Sequence, residues 1–166
     1  MPRLLLFRHA KAERTQAGST DHARALTKRG RKDSAAVGKA VAEYGPVDLV
    51  LCSDARRARE TWDLASPAFD DAPELRFTRA IYEADDYLPI INTEGGNAKT
   101  LLLVGHNPTM QETAVALVSD LSGVNGTLLT ARFPKAAVAV LDFEGDWASL
   151  SPGEARLTAF VLPERD

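Results

Sequence analysis

The 166-residue chain has one cysteine, Cys52, and only two methionines and two tryptophans. A lone thiol cannot close an internal disulfide, and small secreted scaffolds usually carry several pairs, so the composition predicts a reducing, cytoplasmic setting. Long apolar runs are absent as well. Residues 4–7 are too short for a secretory core segment, and no stretch approaches the roughly 18 residues that suggest a membrane span. Excess charge of one sign is also lacking: 20 basic against 23 acidic residues leave a net charge of −3. That balance predicts no global attraction to nucleic acid or to an anionic membrane, while leaving room for a local basic pocket. There is no internal repeat and no low-complexity linker. A chain of this length buries on the order of 70% of its unfolded surface, so one domain over residues 1–166 needs neither disulfides nor a structural metal.

Four short apolar runs, at 4–7, 47–52, 100–104 and 136–143, read as buried strands. The first three each lead through a polar or glycine-containing turn into helix-like sequence, the pattern of an α/β domain with a mostly parallel sheet. Ala36, Val37, Ala40 and Val41 recur at helical spacing and predict a helix over 32–44, stopped by Gly45-Pro46. A second helix is expected over 55–64, and a third from Pro108 towards Leu121, since proline suits a first helical position. Runs at 128–133, 136–143 and 157–162 look like strands that can pair antiparallel. Residues 70–86 are acidic and irregular and read as loop, with one short strand at 75–78. The fold class expected is a three-layer α/β/α sandwich.

Open α/β sheets bind ligands beyond the carboxyl ends of their strands. There the sequence places Arg8 and His9 after the first strand, Ser53, Asp54, Arg56, Arg57 and Arg59 after the second, and Gly105, His106 and Asn107 after the third. An arginine fork matches phosphoryl oxygens and keeps its charge. The start of the Pro108 helix would add backbone donors. A neutral histidine can attack phosphorus, whereas a protonated one only donates hydrogen bonds, so two histidines allow one of each role.

These strings carry a family resemblance. Leu6-Phe7-Arg8-His9-Ala10 resembles the Arg-His-Gly signature of the histidine phosphatase superfamily, whose fold is phosphoglycerate-mutase-like. The segment from Ser53 to Thr61 resembles its Ser-Pro-x-x-Arg-Ala-x-Gln-Thr stretch, and Val104-Gly105-His106-Asn107-Pro108 resembles its Gly-His-Asn motif. Arg24-Ala25-Leu26-Thr27-x-x-Gly30 resembles the Arg-Pro-Leu-Thr-x-x-Gly of the small SixA-like branch. Four motifs in order over most of the chain carry far more weight than any one of them.

The resemblance implies that His9 is a nucleophile that becomes phosphorylated, and that Arg8, Arg24, Arg57 and His106 bind the phosphoryl group, with Arg56 the rival register for Arg57. It implies no metal and no cofactor. The substrate expected is a phosphohistidine on a protein. A small phosphorylated metabolite is the enzymatic alternative, a module that only binds phosphoryl ligands is the other, and a mutase is disfavoured because the short chain has few insertions. Glu83 is the candidate proton donor to a poor leaving group, with Asp85 and Asp86 as neighbours that could be mistaken for it. Departures from the pattern are Ala10 for glycine, which implies a backbone that tolerates a Cβ, and Asp54 and Glu60 for proline and glutamine. These carboxylates would either trim the pocket's potential or pair with Arg56 and Arg59. His22, the Lys28-Arg29-Arg31-Lys32 run, Cys52, Trp62 and Trp147 read as solvated or packing residues, and a three-histidine metal site has no supporting spacing. The sequence leaves the oligomeric state open.

Overall fold

The computed structural model describes residues 1–70 and 72–164; residue 71 of the acidic segment, and residues 165–166, lie outside the described residues. Six strands form one sheet: β1 (Arg3–Arg8), β2 (Leu49–Ser53), β3 (Glu74–Thr78), β4 (Thr100–Gly105), β5 (Val138–Asp142) and β6 (Arg156–Val161). Their spatial order is β3-β2-β4-β1-β5-β6. β3, β2, β4 and β1 are mutually parallel, and β5 and β6 are antiparallel additions.

The strand period of two divides the core into two faces. Leu4, Leu6, Leu49, Leu51, Leu101, Leu103, Ala139 and Leu141 point to one face. Leu5, Phe7, Val50, Cys52, Leu102, Val104, Val138 and Val140 point to the other. The second face is covered by α1 (Lys28–Val41) and α2 (Arg56–Ala65), through Val37, Val41, Ala58, Trp62 and Ala65. The first is covered by α3 (Arg79–Glu83), α4 (Leu88–Glu94), α5 (Thr109–Leu117) and α6 (Val124–Ala131), through Ile81, Ile91, Met110, Leu117 and Leu129. This is the expected α/β/α sandwich. Gly38 allows α1 to lie close against α2, because a Cβ there would sit 2.7 Å from the Ala65 backbone.

Several boundaries differ from the sequence expectation. Residues 128–133 are not a strand: α6 occupies Val124–Ala131, and Leu128 is exposed while Leu129 is buried. A short apolar run has no period of its own, and the helix wins because it covers the sheet face beside α5. The acidic segment holds β3, as expected, but also α3, and α4 follows it. The first crossover helix begins four residues earlier than expected, at Lys28, because the Thr27 side chain accepts the Gly30 N–H at 3.0 Å and caps it. Its expected end at 42–44 is a 3-10 turn, and α5 stops at Leu117 rather than continuing to Leu121. Among the described residues, no helix is long and apolar enough to cross a membrane.

Candidate active site

The sheet register brings three strand ends level. Arg8 lies beside Gly105, and Phe7 and Cys52 both lie beside Val104. His9, Ser53 and His106 therefore emerge at one edge, although they are far apart in sequence. The His9 N–H bonds the Gly105 carbonyl at 3.0 Å, which ties the first of these turns to the last. Ala10 is buried, its N–H donates to Thr61 Oγ1 at 3.0 Å, and its φ is not positive, so this turn accepts a Cβ in place of the motif glycine.

The two imidazoles face each other with ring centroids 5.1 Å apart. His9 is buried, and its Nδ1 lies 2.7 Å from the Ala10 carbonyl. A carbonyl only accepts, so Nδ1 carries the proton and Nε2 keeps its lone pair. Burial holds His9 well below the ordinary histidine range, and the positive charges of Arg57 and Arg8 act in the same direction. His9 is therefore neutral near pH 7.

His106 is also pushed down, to about 4, first by burial and then by the Arg57 charge. Both rings are thus neutral, whereas the sequence reading allowed for one to be protonated. Ser53 shows how His106 donates nonetheless. Ser53 Oγ accepts the Ala55 N–H at 3.2 Å and lies 2.7 Å from His106 Nε2, so its hydroxyl proton can point at that nitrogen and leave the imidazole proton on Nδ1. The backbone of His106 is clamped by Tyr87, whose hydroxyl accepts the His106 N–H at 2.8 Å. Gly105 makes room for this clamp, since a Cβ there would fall 2.6 Å from the Tyr87 oxygen.

Of the two candidate registers, Arg57 is buried at this edge and Arg56 is half exposed. Arg56 instead pairs with Glu60 at 3.1 Å, and Glu60 also accepts the Leu26 N–H at 2.8 Å. Arg8 is anchored through one terminal nitrogen to the Phe133 carbonyl at 2.7 Å. Among the described residues, three buried side-chain nitrogens have no hydrogen-bond partner within the protein: Nε of Arg8, Nε of Arg57 and Nδ1 of His106. Folded proteins rarely leave buried donors unpaired, and here all three belong to residues expected to bind phosphate. At the start of α5 the Met110 N–H bonds the His106 carbonyl and the Gln111 N–H bonds Asn107 Oδ1.

Arg24 lies further out. Its Nε donates to the Glu13 carbonyl at 2.6 Å and a terminal nitrogen to Asp21 Oδ1 at 2.9 Å. Glu83 is not brought to the histidine pair: it is two-thirds exposed and its nearest cation is Arg79, at 3.8 Å. The side chain of α3 that reaches the site is its neighbour Tyr82, edge-on to His106 with centroids 5.5 Å apart. Tyr82 also donates its hydroxyl proton to Asp21 Oδ2 at 2.7 Å. His22, read as solvated, pairs with Asp54 at 2.7 Å and packs edge-on against Tyr82. Burial, and then the charges of Arg8, Lys11 and Arg24, hold the Lys135 ammonium below its usual range. The sequence reading did not single out Asp21 or Tyr82, and it took Ser53 only as a strand-end residue. Ser53 opens the second motif, and Asp21 stands three residues before Arg24; those were the available signals.

Residues 4–85 match the family model of the histidine phosphatase superfamily (branch 1). A structure from Nakamurella multipartitia, assigned as the phosphohistidine phosphatase SixA, is 31% identical, covers 98% of this chain and 96% of its own, and superposes with a TM-score of 0.85. The chain belongs to the histidine phosphatase superfamily. A second SixA-assigned structure, from Agrobacterium tumefaciens, is 30% identical with 97% coverage of both chains and a TM-score of 0.81. An uncharacterised Mycobacterium tuberculosis protein is 40% identical over 163 residues, covering 95% of this chain and 99% of its own. In this superfamily member, no cluster of three or more metal-ligating side chains occurs among the described residues.

Proposed function

We propose that the protein is a metal-independent phosphatase that passes through a phosphohistidine on His9, and that its substrate is a phosphohistidine carried by a protein. The observation that carries this reading is the buried, neutral His9 surrounded by the unpaired nitrogens of Arg8, Arg57 and His106. In the first step the Nε2 lone pair attacks phosphorus in line with the leaving group. A new N–P bond forms, and the bond from phosphorus to the leaving nitrogen breaks, with its electron pair going to the departing imidazole, whose other ring nitrogen already carries a proton so that the ring leaves neutral. In the second step water attacks the same phosphorus, the His9 N–P bond breaks, and phosphate leaves while His9 returns to its neutral form. Phosphoryl transfer needs positioning and charge stabilisation above all, and Arg8, Arg57, Arg24 and the His106 Nδ1–H supply donors for the three equatorial oxygens.

The place of Glu83 favours the phosphohistidine substrate over a small alkyl ester. An alkoxide leaving group needs a proton delivered as it departs, and Glu83 is turned to Arg79 instead. An imidazole leaves with less assistance. The test is a substrate panel of phosphohistidine peptide, phosphoserine peptide and small esters, run on wild type and His9→Ala in chelator-treated buffer. Turnover should be lost in the variant by a factor of about 10³ or more. Acid-labile phosphate should be trapped on wild type alone. Full activity of His9→Ala would refute the mechanism, a steep preference for small esters would move the substrate to a metabolite, and binding without turnover would make the protein a phosphoryl-binding module.

A further inference from the structure

Arg57 and Arg24 share one arrangement. Arg57 donates one terminal nitrogen to the Asp21 backbone carbonyl at 2.8 Å and the other to Asp21 Oδ2 at 3.0 Å. Arg24 donates Nε to the Glu13 carbonyl at 2.6 Å and a terminal nitrogen to Asp21 Oδ1 at 2.9 Å. Each guanidinium is therefore held in place by a backbone carbonyl and offers a second nitrogen to the same carboxylate. The Tyr82 hydroxyl donates to that carboxylate as well, at 2.7 Å. Three donors from three separate segments converge on a single planar anion. Tyr82, Arg24 and Arg57 together hold Asp21 well below the usual carboxylate range, so it is ionised and has no proton to give as an acid.

The partners differ in freedom. The Arg57 side chain is 7% exposed, whereas that of Asp21 is 49% exposed. Asp21 sits on a three-residue 3-10 turn, Asp21–Ala23, at the surface. The carboxylate can rotate into water while its own backbone carbonyl still holds Arg57. The arginine nitrogens it releases are then presented, already oriented, to another anion.

We propose that Asp21 is a displaceable internal counter-ion: its carboxylate occupies the donors of Arg24, Arg57 and Tyr82, and the substrate's phosphoryl group takes these donors from it. This rests on the phosphatase reading of the same site and extends it. A resident anion keeps the buried Arg57 charge paired between turnovers, and it competes with inorganic phosphate once the leaving group has gone. Asp21 thereby sets the affinity for phosphate, weakening retention of the product, and acts as a specificity residue rather than as a proton donor.

The test uses Asp21→Asn, which keeps the shape and the backbone carbonyl but removes the charge. Phosphate and vanadate binding are measured by calorimetry in wild type and variant, and phosphate is tested as a competitive inhibitor of turnover. Asp21→Asn should bind phosphate about tenfold more tightly, because the donors no longer face a competing negative charge. Unchanged or weaker binding would overturn the proposal and make Asp21 a scaffold for Arg57. A second measurement needs no variant: the amide resonances of residues 21–23 are followed in wild type during phosphate titration. They should shift and saturate together with the ring resonances of His9 and His106. Response of the rings with a silent turn would overturn the counter-ion role alone, while silence of both would overturn the phosphate-site reading itself.

Discussion

Acidification should cost this protein stability through His106. An unfolded histidine protonates near 6.5, and the folded site holds His106 at about 4. Between these values the unfolded chain binds the proton and the folded chain does not, so stability rises with pH across this window. The contribution is complete above about 6.5 and is lost as the pH falls. Each unit of displacement corresponds to about 1.4 kcal/mol, which gives a loss of about 2 kcal/mol at pH 5 relative to pH 7.5 from this one ring. His9, also lowered by burial, adds in the same direction. The assay is urea unfolding at both pH values for wild type and His106→Gln. Carboxylate titration is common to the two proteins and cancels in the comparison, so wild type should lose about 2 kcal/mol more than the variant. Equal losses would refute the reasoning, because they would mean that His106 accepts a proton in the folded site at no cost. The same burial keeps the His9 lone pair free at neutral pH, so this acid sensitivity and the proposed nucleophilic role of His9 share one physical origin.

Two further substitutions test the geometry around the histidines. Ser53→Ala removes the hydroxyl that lies 2.7 Å from His106 Nε2; kcat should fall about tenfold with KM little changed, and an unaffected kcat would show that Ser53 does not set the His106 tautomer. Glu83→Gln should leave turnover of a phosphohistidine peptide within about twofold, since general-acid assistance is worth about a hundredfold or more where it operates; a loss of that larger size would make Glu83 the proton donor and require α3 to rotate it into the site.

Much of the site was legible because strand ends are predictable from short apolar runs. Arg8 ends β1, His9 and His106 follow directly on β1 and β4, and parallel pairing then leaves them at one edge. Arg57 was separable from Arg56 only in the structure, because α2 turns one into the site and the other to solvent beside Glu60. Asp21 and Tyr82 could not be read this way. They are 61 residues apart, on a 3-10 turn and a five-residue helix, and no periodicity links them. The mistaken strand at 128–133 has a related cause, since a short run opening on two adjacent leucines fits either a strand or a helix until a neighbouring surface selects one face.

The sequence by itself determined the α/β order, the buried strands and the chemical identity of the strand-end residues, because these depend on local pattern and on residue type. Only the tertiary structure decided their state. Burial makes both histidines neutral, the Ala10 carbonyl and the Ser53 hydroxyl set where each ring carries its proton, and the Asp21 turn brings a carboxylate onto Arg24 and Arg57. Those properties arise from desolvation and from contacts between distant segments, which no local stretch of sequence encodes.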